Sequence, residues 1–353
     1  MPDDPSPRSL GPVATKHFET HDFRLTGGGV LPVARLAYET YGRLAPDGRN
    51  AVLLTHGFTS SHHAAGRNPE NGGAPGWWDG HVGPGKAIDT DRLFVVSSNM
   101  LGSSYGSTSG ASIDPVTGKP YGPTFPDISV SDIVRLQRLL LDALGVKHLV
   151  AVAGQSYGGF QAFQWAVDFP DFMDAIVPTV TAPKSPRISY PELHGRLAAD
   201  PGWNGGWYYG TDGVIGTMRA IREETLKRYG MEEVLKDQGL DAAARDARIK
   251  ELADAWSKKF DAHALLILRK AADRFDVTAD LAKIRAKVLY VIARTDVLFP
   301  PSLKDTVMPA LKAAGVDARY FEIDTEYGHT AAGNAWNKWT HVMRDFLAPL
   351  IPR

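Results

Sequence analysis

One pentapeptide limits what this chain can fold into more than any other feature: Gly154-Gln155-Ser156-Tyr157-Gly158, set between an apolar run and a helical stretch. The run His148–Ala153 reads as a buried parallel strand, and Phe160–Phe169 as a helix stopped near Pro170. A G-x-S-x-G sequence by itself is weak evidence, since the chain holds 35 glycines. In a strand–turn–helix setting it predicts a sharp turn that projects the Ser156 hydroxyl from the end of a sheet. Side chains at Gly154 and Gly158 would collide with neighbouring backbone there. The helix that begins at the turn aims free N–H groups and its positive end at the serine oxygen.

Strand-like and helix-like segments alternate around this turn, which predicts an α/β architecture with a mostly parallel central sheet and helices on both faces. A hairpin is expected from Phe18–Leu25 and Leu31–Tyr41 through Gly27-Gly28-Gly29, followed by strands at Ala51–Leu54 and Leu93–Ser97. The apolar stripe of Asp132–Leu144 fits an amphipathic helix that Gly145 ends. Further strands are expected at Ala175–Val180, Lys287–Ala293 and Ala318–Ile323, and helices at Leu303–Ala314 and Asn334–Phe346. Between Pro183 and Val277 the character changes: Trp, Tyr, Lys, Arg and Glu abound, Gly216–Tyr229 and Ala242–Phe260 have helical spacing, and no strand stands out. We read residues 183–277 as a helical lid inserted into a core domain made of residues 1–182 and 278–353. A longer set of ordinary crossover helices is the competing reading.

A serine hydroxyl is a poor nucleophile at neutral pH and needs a base, which in turn needs an orienting acid. With this type of turn the chain order is nucleophile, acid, histidine. Asp296 follows the strand Lys287–Ala293, and His329 lies in Glu326-Tyr327-Gly328-His329-Thr330 after the last strand. Asp324 and Glu326 are nearby acids without the right position after a strand. Oxyanion donors are expected from the backbone N–H of Tyr157 and from Phe58 in Thr55-His56-Gly57-Phe58-Thr59. The adjacent His62-His63 suggests zinc, but no third ligand stands at sensible spacing, so neither a metal nor a cofactor is expected.

Composition narrows the alternatives. With 39 basic and 40 acidic residues, a net charge of −1 and no basic run, an electrostatic nucleic-acid binder is excluded. The absence of cysteine excludes a disulfide framework, a thiolate metal site and a cysteine nucleophile. Met1–His17 is polar and lacks the apolar core of a signal peptide, and apolar runs such as Lys287–Ala293 are too short to span a bilayer. No membrane association is expected, and the expected location is the cytoplasm.

The assembled residues resemble the homoserine O-acetyltransferase family of the α/β-hydrolase superfamily. The resemblance is carried by Gly76-Trp77-Trp78-Asp79, by Val82 to Arg92, and by Ser98-Asn99-Met100-Leu101-Gly102 with Gly106-Ser107-Thr108. Asp114 to Gly122 and Phe125-Pro126 extend it. It implies the α/β-hydrolase fold, the triad Ser156, Asp296 and His329, oxyanion donors Phe58 and Tyr157, a lid over a tunnel, and a homodimer. The chain also departs from the family's acetyltransferases. They carry Gly-Gly-Ser-Met-Gly-Gly-Met at the elbow, where this chain has Gly154 to Phe160 with Gln155 and Tyr157. An aspartate follows their catalytic histidine, whereas Thr330 stands here. Their lid arginine, with a tyrosine seven residues on, aligns to Arg219, which places Leu226 at the tyrosine position. Such a pocket should hold a zwitterionic amino acid poorly. The lid aromatics Trp203, Trp207, Tyr208 and Tyr209 suit a neutral ester or serve as lid core. Arg219, Thr330, Trp207 and Tyr208 are therefore the candidate substrate-facing residues. The leading expectation is a Ser156-dependent carboxylester hydrolase acting on short, acetyl esters. The alternative is an O-acyltransferase that takes its acyl group from acetyl-CoA.

Overall fold

Strands apolar on both faces can sit only in a sheet that is covered on both sides. The strand β3 (Ala51–Thr55) is buried at all five positions, and β5 (Leu149–Gln155) at six of seven. They lie at the centre of an eight-stranded sheet in the computed structural model, which describes residues 10–186 and 188–352. The first nine residues of the polar stretch Met1–His17 lie outside those described. The other strands are β1 (Lys16–Leu25), β2 (Gly29–Tyr41), β4 (Phe94–Ser98), β6 (Met173–Thr179), β7 (Lys287–Ala293) and β8 (Ala318–Ile323). Their order is β1-β2-β4-β3-β5-β6-β7-β8. The hairpin β1–β2 is antiparallel and joins β4 antiparallel, and every pairing from β4 to β8 is parallel.

After β3 the chain goes to one side to form β4, and after β4 it crosses to the other side to form β5. The carboxyl ends of β3 and β5 therefore meet where the strand order reverses, the place where open α/β sheets build their sites. Thr55 is paired with Gly154 in that register, so the loops that carry Phe58 and Ser156 leave the sheet side by side.

The period of two along each strand divides the core. Leu53, Val152, Ile176 and Tyr290 pack with Leu136 of α1 (Val130–Ala143) and Phe163 and Trp165 of α2 (Tyr157–Asp168) on one face. Val52, Leu54, Ala151, Val177 and Val291 pack with Trp78, Trp339 and Met343 on the other. Helix α1 starts at a reciprocal cap, in which Ser129 accepts from Asp132 N–H and Asp132 accepts from Ser129 N–H.

Residues 183–277 form helices between β6 and β7: α3 (Tyr190–Ala198), α4 (Ile215–Arg228), α5 (Met231–Asp237), α6 (Ala242–Ser257) and α7 (Ala262–Asp273). They bury small clusters of their own, one around Trp203, Tyr208, Met218, Trp256 and Phe260, another around Leu226, Leu235, Ile249 and Ala253. After β7 come α8 (Lys304–Ala313), β8 and α9 (Thr340–Leu347). The continuous helix expected over Asn334–Phe346 is instead broken between Asn334 and Thr340. Trp336 lies against Gly80, where an added Cβ would come within 2.3 Å of the indole, and Trp339 turns in at φ −140° to donate to Ala332 O at 3.2 Å. Seating these two rings outweighs one uninterrupted helix. Among the described residues, no helix is long and apolar enough to cross a membrane.

Candidate active site

Ser156 occupies a strained position, with φ 56° and ψ −119° at the junction of β5 and α2. A non-glycine residue holds that conformation only where its surroundings over-determine it. Here Ser156 N–H donates to Thr179 O (2.8 Å), while Ser156 O accepts from Gly159 N–H (2.8 Å) and the Thr181 hydroxyl (2.8 Å). The flanking glycines leave no alternative. A Cβ at Gly154 would meet Thr55 Oγ1 at 2.1 Å, and one at Gly158 would meet Thr55 O at 2.0 Å. Thr55 uses that proximity, donating its hydroxyl to Gly158 O at 2.8 Å.

Asp296 and His329, carried by the loops after β7 and β8, meet in the interior. His329 Nδ1 lies 2.8 Å from Asp296 Oδ2, and both side chains are buried. A carboxylate can only accept, so the proton is on Nδ1 and Nε2 is left as the basic nitrogen. The other carboxylate oxygen, Oδ1, accepts from Leu298 N–H (2.8 Å) and Phe299 N–H (3.1 Å). The His329 ring is stacked on Phe299 (centroids 5.6 Å apart) and meets Tyr229 edge-on at 4.7 Å. Ser156, Phe299 and Tyr229 all line one cavity of about 630 Å³. His329 thus packs against two of the residues that line this cavity with Ser156.

Two backbone donors stand beside Ser156. A Cβ at Gly57 would lie 3.8 Å from Ser156 Cβ, which places the β3 loop against the serine. Neither Phe58 N–H nor Tyr157 N–H donates to a protein acceptor among the described residues. The two rings stack with centroids 5.9 Å apart and line the same cavity. His56 anchors this loop, with Nε2 2.7 Å from Asn99 Oδ1 and Nδ1 2.8 Å from Gly57 O, and burial holds its pKa below the ordinary histidine value. The neighbouring pair also has structural partners. His63 Nδ1 lies 3.0 Å from the fully buried Glu39 carboxylate and its Nε2 lies 2.9 Å from Ala74 O, while His62 Nε2 meets Thr15 Oγ1 at 3.1 Å. Burial opposes the charge on His63, but Glu39 and Ala74 O overcome it and raise the pKa.

The helical insertion closes the cavity from above with α4, contributing Ile221, Arg222, Glu224, Thr225 and Arg228, followed by Tyr229. Arg222 is a partly buried cation of this wall. One terminal nitrogen donates to Thr59 Oγ1 (2.8 Å), the guanidinium lies 5.3 Å from the Trp256 ring centre, and buried Nε has no hydrogen-bond partner among the described residues. Burial lowers its pKa. Tyr229 is half-buried, and the desolvation this brings raises its pKa.

The four candidate substrate residues fall elsewhere. Arg219 points out of the fold towards Asp254 at 3.8 Å, with half of its side chain exposed. Leu226 is buried in the insertion's own core. Trp207 is 46% exposed over Gly122, and Tyr208 donates to Asp261 Oδ1 (2.5 Å) and stacks on His263, away from the cavity. Thr330 donates its hydroxyl to Tyr327 O (2.8 Å), and its N–H lies 3.1 Å from Tyr229 O, where it ties the insertion to the histidine loop. Arg222 and Tyr229, seven residues apart, are the pair that reaches the cavity. The spacing is visible in the sequence, three residues beyond the Arg219–Leu226 alignment, and the helical phase of α4 selects it.

The family described as alpha/beta hydrolase fold matches residues 50–308. A curated relative, homoserine O-acetyltransferase of Moorella thermoacetica, is 38% identical over 97% of this chain and 98% of its own length. Among solved structures, esterase E22 superposes with a TM-score of 0.86 at 30% identity, covering 95% of this chain and all of the other. Homoserine O-acetyltransferase from Bacillus anthracis superposes with a TM-score of 0.87 at 25% identity, covering 97% of this chain and 100% of the other.

Proposed function

The chain belongs to the homoserine O-acetyltransferase family of α/β hydrolases and is an acyl-transfer enzyme, and from that premise we propose that it moves an acetyl group from acetyl-CoA to the hydroxyl of a small acceptor bearing a carboxylate. Ser156 is the nucleophile, His329 the base and Asp296 the group that fixes its tautomer. Ser156 Oγ attacks the thioester carbonyl as its proton passes to His329 Nε2, and the Phe58 and Tyr157 N–H groups receive the oxyanion. The thiol leaves with that proton. The acceptor hydroxyl then attacks the acyl-enzyme, giving its proton through His329 to Ser156. The inserted helices of residues 183–277 act as the lid that keeps water from this intermediate.

Arg222 is the observation that carries the acceptor's charge. A guanidinium held against a tryptophan with an unmet N–H is costly until an anion reaches it. Tyr229 O–H offers a second donor on the same wall. Leu226, packed in the insertion's own core, does not line this wall. Thr330, in place of an aspartate, supports a second reading in which water is the acceptor and the enzyme hydrolyses short esters, and the likeness to esterase E22 favours it too.

The test is a mass-resolved assay with acetyl-CoA and homoserine or another hydroxy acid, and separately a short acetyl ester in water. Acceptor-dependent thiol release with an O-acetylated product, absent in Ser156→Ala, is the expected outcome. Thiol or alcohol release at one rate with or without acceptor, yielding acetate alone, would replace transfer by hydrolysis.

A further inference from the structure

Resting on the Ser156 acyl-transfer reading, we infer that Gln161 is a positioning residue for the reaction, whose side-chain amide sets the spacing of the two backbone donors proposed for the oxyanion. Gln161 stands near the start of α2, is fully buried and is not among the described residues that line the cavity. Its amide nitrogen lies 3.3 Å from His56 O, 3.4 Å from Tyr157 O and 3.0 Å from Met100 Sδ. One group thus touches both segments that carry the donors, the loop after β3 with Phe58 and the start of α2 with Tyr157. Gly57 is the joint between the anchored His56 carbonyl and the Phe58 N–H, and a glycine holds no backbone angle unaided. Across the joint, Ser60 N–H donates to Gly57 O at 3.1 Å, on the peptide plane that bears Phe58 N–H. Gln161 and Ser60 therefore hold the two planes on either side of it.

The direction of the amide follows from a chain of three side chains. An amide oxygen turned towards His56 O would repel it, so the orientation matters. The Trp165 indole can only donate, and its Nε1 lies 2.9 Å from Gln137 Oε1. Gln137 then presents its nitrogen to Gln161, whose Oε1 accepts at 2.8 Å. What is left to Gln161 is its own nitrogen, and the two carbonyls are what it meets. Trp165, Gln137, Gln161 and His56 are all 0% exposed, so water does not compete for these bonds. A buried relay in which each member meets its partner rigidifies what it connects. Here it connects the contact between α1 and α2 to the oxyanion loop.

Charge develops on the oxyanion only in the transition state, so a displaced donor costs rate rather than ground-state binding. Gln161→Met keeps the length of the side chain and removes the amide. With p-nitrophenyl acetate in water, which needs no acceptor, its kcat should fall about tenfold to a hundredfold while KM stays within about twofold. A short alkyl boronic acid reads the same geometry at equilibrium. Ser156 Oγ bonds to boron, the serine proton passes to His329, and one boron hydroxyl takes the oxyanion position. That affinity should drop about tenfold or more. Gln137→Met leaves the amide in place but frees its direction, and should show the same pattern at smaller size. An unchanged kcat in folded Gln161→Met, or a fall matched by a rise in KM with boronate affinity unmoved, makes the relay core packing and overturns the inference. A folded Gln137→Met with full kcat overturns it too, and decides the matter should Gln161→Met not fold. Ester turnover and boronate binding that persist in Ser156→Ala overturn the triad reading instead.

Discussion

Ser156 and Arg222 face the same cavity and are held in place by opposite means. The serine is fixed through its own backbone: a positive φ, main-chain hydrogen bonds to Thr179 O and the Thr181 hydroxyl, and flanking glycines where an added Cβ would lie within 2.1 Å of Thr55. The arginine is fixed by side chains alone, a threonine hydroxyl and a tryptophan face. The sheet edge therefore has almost no freedom to vary without losing its geometry. The inserted helices can exchange one side chain for another while the chemistry beneath them stays the same. That difference explains how one fold accommodates both acyltransferases and esterases among the proteins similar to this chain.

The comparison can be broken most forcefully at Asp296. Replacement by Asn keeps the shape but reverses the hydrogen-bonding preference of His329 Nδ1, so kcat should fall by about 10⁴ while thermal unfolding changes little. A fall of only a few-fold would remove Asp296 from the catalytic role. Next comes Gly158→Ala, which forces a methyl to within 2.0 Å of the Thr55 carbonyl. Overpacking of that kind costs about 3 kcal/mol, and the displaced elbow should lose activity as well. Denaturant unfolding and kcat measured together check both.

A smaller effect comes from the buried Glu39–His63 pair under the oxyanion loop. Burial opposes ionisation of Glu39, but the His63, Tyr41 and Asn68 hydrogen bonds outweigh it and lower its pKa, and His63 is raised. A raised histidine stabilises the fold at pH values below its unfolded value and loses that contribution as pH rises through the folded one. A lowered carboxylate loses its contribution as pH falls through its folded value. The pair should therefore stabilise most between the ordinary values of 4.5 and 6.5, and stability should fall above that window. Histidine NMR titration tests the assignment: His63 should titrate above 6.5, whereas His62 and His81, desolvated by burial, stay neutral down to about 4. The smallest effect belongs to the inserted helices. In α3, a Cβ at Gly195 meets nothing within 4 Å, so Gly195→Ala should stabilise the protein by about 0.5–1 kcal/mol with unchanged kcat. Damage as large as that of Gly158→Ala would contradict the contrast between the two regions.

Much of the sheet was legible because its signals are local. Lys287–Ala293 and Ala318–Ile323 have the same ends in sequence and structure, the first because it is a nearly continuous apolar run and the second because Asp317 and Asp324 bound it. The elbow was legible for the same reason, with strand, glycines, serine and helix in one short segment. Legibility failed at Asn334–Phe346, where helical spacing gave no sign that Trp336 and Trp339 would be drawn into separate seats. It failed again on α4, where Arg219 and Arg222 are equally plausible in one dimension.

The sequence alone therefore determined the order of strands and helices, the strained serine and the acid and histidine placed after later strands, because each depends on residues close to it in the chain. Tertiary structure alone decided which arginine faces the serine. That choice depends on the phase of α4 against Thr59, 163 residues earlier in the chain, and against Trp256 of α6.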